Sequence, residues 1–126
     1  MFAKLQTVLP MNKRKTGTEY EEQAARWLES RGYQILERNF YCRQGEIDLV
    51  AEENGYLVFI EVKYRRDGHA GHPAEAVHPY KQKKIVQTAV YYCYKHQIPQ
   101  TRPCRFDVVC ILGDDVELIK NAFEML

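Results

Sequence analysis

The chain has 126 residues, 45% of them hydrophobic and 28% charged, which fits one globular core and excludes disordered and fibrous classes. Lys plus Arg number 18 against 17 for Asp plus Glu, a formal net charge of +1, so no whole-protein field draws in a polyanion and any such site must be a local patch. Cys42, Cys93, Cys104 and Cys110 form no CxxC pair and match neither a zinc site nor a disulfide framework, which points to a reducing cytoplasm; with no apolar run near the roughly 20 residues of a membrane span, no membrane partner is expected.

In chain order, residues 1–14 mix isolated apolar residues with a basic run and are expected to form a flexible arm ahead of a single domain over 15–126. Thr18 and Glu21 carry the S/T-x-x-E capping pattern, and Tyr20, Ala24, Trp27, Leu28 and Arg31 recur at helical spacing until Gly32, predicting a first helix. Tyr33 to Leu36, continuing through Arg38 to Phe40, and then Gly45 to Glu52 read as strands. Glu53, Asn54 and Gly55 signal a turn into Tyr56 to Tyr64, whose apolar run Leu57 to Val62 predicts a central strand buried on both faces.

A loop rich in Gly and His runs from Asp67 to Pro73, and Pro79 then suits a helix start. Ile85, Val86, Ala89, Val90, Tyr92, Cys93 and His96 predict the packed face of this second helix, with Pro99 marking its end. Phe106 to Leu112, a Gly113-Asp114-Asp115 turn and Val116 to Ile119 predict a closing hairpin.

The informative feature is the hairpin GEIDLVA and VFIEVKYR, which sets Glu46, Asp48, Glu61 and Lys63 among apolar neighbours. Removing such charges from water is costly unless they pair or bind an ion. A structural salt bridge of Lys63 with Asp48 or Glu61 satisfies that requirement, and so does a divalent cation. Glu61 and Lys63, two apart, emerge on one strand face, and a hairpin partner can bring Asp48 beside them. One or two carboxylates plus waters suit magnesium, and an amine alongside can offset phosphate charge. Glu46 shares the parity of Asp48 and ranks below it as a further acid. Glu21 lies on the inward side of the first helix, where an acid reaching the site and a first-turn acid favoured by the helix dipole are equal readings. Lys81 and Gln82 open the second helix, where a charge and free amides can meet phosphate or simply face solvent. Asp107, inside a late strand beside Arg105, reads as a buried anchor. His69 and His72 share a loop without a nearby cysteine, a poor zinc site.

These residues, with Glu21 and AARWL, Gly32-Tyr33, Asn39, Gly71 and PAEAV, Lys81-Gln82, Arg105-Phe106-Asp107 and Asn121-Ala122-Phe123, resemble the bacterial YraN-like family. That family is related to archaeal Holliday-junction resolvases within the PD-(D/E)xK nuclease superfamily. The resemblance covers all but about residues 1–14. It implies an α/β fold, a restriction-endonuclease-like mixed sheet with a central antiparallel hairpin flanked by helices. It further implies Asp48 and Glu61 as metal ligands with the Val62 carbonyl, Lys63 as the catalytic lysine, Glu21 as a helix acid facing the same site, and Mg2+ or Mn2+ as cofactor. The activity implied is endonucleolytic cleavage of DNA, branched or structured, with Arg65, Lys81, Gln82 and Lys84 meeting the backbone phosphates, and resolvase relatives make a homodimer one expected state. A non-catalytic nucleic-acid-binding or assembly protein that keeps this fold is the alternative.

Overall fold

The computed structural model describes residues 15–66 and 77–125. The expected arm over 1–14 and the loop holding His69 and His72 lie outside these residues. Helix α1 (Gly17–Glu29) is followed by strands β1 (Gln34–Cys42), β2 (Gly45–Glu53) and β3 (Tyr56–Arg65), helix α2 (Pro79–Lys95), and strands β4 (Cys104–Leu112) and β5 (Asp115–Phe123). The five strands form one sheet in the order β1-β2-β3-β4-β5.

Short turns force antiparallel neighbours, and both hairpins of the β1-β2-β3 meander obey this. Asn54 and Gly55, at φ 54° and 86°, supply the two positive angles that a tight hairpin turn between β2 and β3 requires. β3 pairs with β4 in parallel, Leu57 against Cys104 through Arg65 against Leu112, a pairing that needs a long crossover; α2 lies within it. β4 and β5 close the sheet as the expected hairpin.

A helix covers each face. Tyr20, Ala24, Ala25 and Leu28 of α1 pack on Leu49, Ala51, Val58, Ile60, Val62, Val109 and Ile111. On the other face, Ile85, Ala89 and Tyr92 of α2 meet Phe40, Ile47, Leu57, Phe59, Phe106 and Val108. β3 thus feeds both cores, with Leu57 to Val62 all buried, as its unbroken apolar run predicts.

Two local readings are corrected. The capping box of α1 is Thr16 with Glu19, each side chain bonded to the other's backbone, whereas Thr18 lies inside the helix. Sequence TGTE-YE contains overlapping T-x-x-E patterns, and the earlier one starts the helix. On α2, Val90 is 52% exposed, while Thr88 is fully buried and returns its hydroxyl to the Lys84 carbonyl at 2.8 Å, so the packed stripe runs through Ile85, Thr88, Ala89 and Tyr92. Among the described residues no helix is long and apolar enough to cross a membrane.

Candidate active site

The site forms where β2 and β3 separate. Their pairing runs from Glu53 opposite Tyr56 to Leu49 opposite Ile60. One step further, the Val62 N–H donates to Asp48 Oδ2 at 2.8 Å, so a carboxylate takes a donor at the end of the ladder. Gly45 starts β2 at φ 154°, and a Cβ there would sit 3.2 Å from Thr88 Oγ1; glycine lets the hairpin tip close onto α2. This brings Glu46 and Asp48 to the end of the sheet, with Glu21 arriving from α1.

Glu21, Glu46 and Asp48 each place a carboxylate oxygen within 4.8 Å of the others. Glu61 is not one of this trio, yet its charge acts directly on Asp48 and on Glu21. Glu61 is buried, and Lys81 Nζ from α2 stands 3.4 Å from its Oε2. Lys63 follows on the same side of β3, opposite Cys110 in the parallel register.

The electrostatics are those of acids held together without enough cations. Burial pushes the Asp48 carboxyl up to about 8, the Glu61 charge adds to this, the Val62 N–H opposes it, and Glu21 and Glu46 raise it further. Glu21 is also raised, first by burial, against a lowering hydrogen bond with Asn39; Glu46 raises it again, contact with Asp48 lowers it, and Glu61 raises it. The exposed Tyr41 phenol, cross-strand partner of Glu46, is raised chiefly by that carboxylate.

Oxygen ligands of this kind suit hard cations such as Mg2+ or Mn2+, and the donor set has no thiol or imidazole. Cys93 and Cys104 instead line a separate groove with Ile98, Pro99 and Met125 at the far end of α2, and among the described residues no acidic one lines it.

The residues expected to meet phosphate are engaged within the protein. Lys81 faces Glu61, Gln82 Nε2 donates to the Val77 carbonyl at 2.8 Å, and Lys84 Nζ lies 5.5 Å from the Tyr80 ring centre. Arg65 Nη1 donates to the Tyr64 carbonyl. Asp107, by contrast, is the anchor its setting suggests: its carboxylate accepts from Arg105, from the Tyr33 hydroxyl at 2.7 Å and from the Asn121 N–H. Glu46 ranks higher in space than in sequence, where its parity with Asp48 was its signal. Asn39, at φ 53° within β1, carries no sequence signal of its contact with Glu21.

A mixed sheet with a central antiparallel hairpin, a parallel crossover and one helix on each face is a restriction-endonuclease-like fold, here with an acidic cluster at the parting strands. Residues 20–111 match the uncharacterised protein family UPF0102. A UPF0102 protein of Lachnoclostridium phytofermentans is 54% identical over 114 residues, 90% of this chain and 97% of that protein. A Coxiella burnetii relative is 42% identical, covering 88% and 93%, and a Klebsiella pneumoniae relative 41% identical, covering 87% of each. The chain belongs to UPF0102, the YraN family.

Proposed function

We propose that this protein is a divalent-cation-dependent endonuclease that hydrolyses phosphodiester bonds in DNA. The observation that supports this most is the convergence of Glu21, Glu46 and Asp48 within 4.8 Å, with the charge of Glu61 on the neighbouring strand acting on Asp48. Structural acids in a core are paired with cations; here burial raises Asp48 to about 8 instead, the condition of groups kept for a ligand.

On this reading Asp48 and Glu61, with Glu21 and Glu46 alongside, hold Mg2+ or Mn2+, and the ion supplies Lewis-acid polarisation of a phosphate and acidification of a water. The Val62 N–H fixes the Asp48 carboxylate through Oδ2. The Val62 carbonyl is the further ligand that the family resemblance suggests. Lys63 steadies the attacking water or the charge growing on the phosphate. Lys81, at 3.4 Å from Glu61, neutralises that acid while no cation is held and turns to the backbone phosphate when one is. Arg65, Gln82 and Lys84 extend the contact along the strand. Branched DNA as substrate, and a homodimer to meet its paired strands, follow from the resolvase likeness.

Labelled four-way junctions, duplexes and single strands, incubated with Mg2+ or Mn2+, test the proposal. Cleavage by the wild type, with losses of roughly a hundredfold or more in Lys63→Ala and Asp48→Asn, is the expected result. Binding without cleavage would instead favour a non-catalytic nucleic-acid-binding or assembly role.

A further inference from the structure

We propose that Asn39 is a positioning residue of the candidate site, holding Glu21 of α1 against the β2 acids. The inference rests on the metal-dependent reading above and adds a residue to which that reading gives no part.

Two independent features meet at Asn39. The first is its backbone: φ is 53° in the interior of β1, a left-handed conformation that non-glycine residues rarely adopt and that Asn tolerates best. The second is its place: the register sets it across from Asp48, whose carboxylate lies within 4.8 Å of that of Glu21, and its influence on Glu21 is the lowering one of a hydrogen-bond donor, a part that only the amide NH2 can play.

The backbone angle has a visible effect on the sheet. The register runs Arg38 opposite Leu49 and then Phe40 opposite Ile47, leaving Asn39 across from Asp48 without a ladder pair. Arg38 points to the α1 side, where it meets Glu22, and Phe40 points into the α2 core. On β2, Leu49 likewise packs under α1 and Ile47 under α2. Residues two apart normally share a face, so both strands turn over at the Asn39 and Asp48 step. That turn lets Asp48 leave the alternation and gives the Asn39 amide a line to Glu21.

If the angle alone mattered, glycine would serve best; if the amide alone mattered, ordinary strand geometry would carry it. Asparagine combines a tolerated left-handed backbone with a donor. Its neighbour across the gap is a site acid, and its partner is the acid that must cross from another element.

Mn2+ affinity, measured by titration calorimetry on the wild type, Asn39→Gly, Asn39→Ala, Glu21→Gln and the Asn39→Gly/Glu21→Gln double variant, tests this. Asn39→Gly keeps the backbone angle and loses the donor, so its melting temperature should hold while Mn2+ binding weakens about tenfold. In the Glu21→Gln background the same change should cost nothing further, since its target is gone. Asn39→Ala loses both features and should melt lower as well. Wild-type affinity in Asn39→Gly, or a loss that simply adds to that of Glu21→Gln, would overturn the positioning role and leave the metal site standing. Absence of Mn2+ binding by the wild type would overturn the metal-dependent reading and this inference with it.

Discussion

At the scale of single residues, the Asp48 carboxyl makes the sharpest claim. Its ordinary value is 3.8, and burial with the Glu61 charge lifts it to about 8. Between those values the metal-free folded state holds a proton that the unfolded chain releases, so stability is full below the lower value and is lost as pH rises through the upper one. Urea unfolding of the metal-free protein should therefore weaken from about pH 4 to about pH 8, and Asp48→Asn, which keeps an acceptor for the Val62 N–H and never ionises, should flatten the profile and exceed the wild type at the alkaline end by about 1–3 kcal/mol. A purely structural Asp48 predicts the reverse, a variant weaker at every pH.

At the scale of elements, the first helix shows how a correct pattern can be assigned to the wrong residues. Thr16 accepts from the Glu19 N–H and Glu19 returns to the Thr16 N–H at 2.8 Å; Thr18 and Glu21 spell the same motif two residues later. Thr16→Ala should lower stability by about 1 kcal/mol in chemical denaturation, while Thr18→Ala, at an exposed interior position, should leave it nearly unchanged; equal losses would contradict the cap. The displaced assignment had also given Glu21 a capping role, and its release frees that acid for the site. Most of the fold was legible because periodicity reports burial directly: the apolar run of β3, the start of α2 at Pro79 and the Asn54-Gly55 turn each encode one local fact. The site was legible only in part. Asp48, Glu61 and Lys63 stood out as charges in apolar strands, but the rise of Glu46 depends on both strands turning over at Asn39, and strict alternation carries no record of such a step. Val90 was misplaced for a related reason, since a helix face is decided by where the sheet lies and not by apolarity alone.

Across the whole molecule, the two ends of the sheet treat buried charge in opposite ways. At the end where β4 begins, Arg105 pairs with Asp107 at 2.8 Å and with Glu53 at 2.9 Å, and Lys120 joins Glu53. Burial there pushes Glu53 up, yet Arg105 and Lys120 outweigh it and hold the group low. At the other end, Glu21 and Asp48 are raised. One end is charge-balanced by the chain, and on the proposed function the other is completed by a cation from outside. Asp107→Asn should remove one of the two carboxylates that balance a buried guanidinium, leaving Glu53, and cost about 1–3 kcal/mol, without touching the acids at the opposite end. Mn2+ at about a hundredfold over its dissociation constant should add about 2.7 kcal/mol to wild-type stability by mass action. Because distant sites contribute additively, Asp107→Asn should receive that same increment despite its lower starting point, and Asp48→Asn should receive almost none. Thermal melts of the three proteins with and without Mn2+ decide the matter: an increment lost in Asp107→Asn would mean that the two ends are one cooperative network, and an increment kept in Asp48→Asn would place the ion elsewhere.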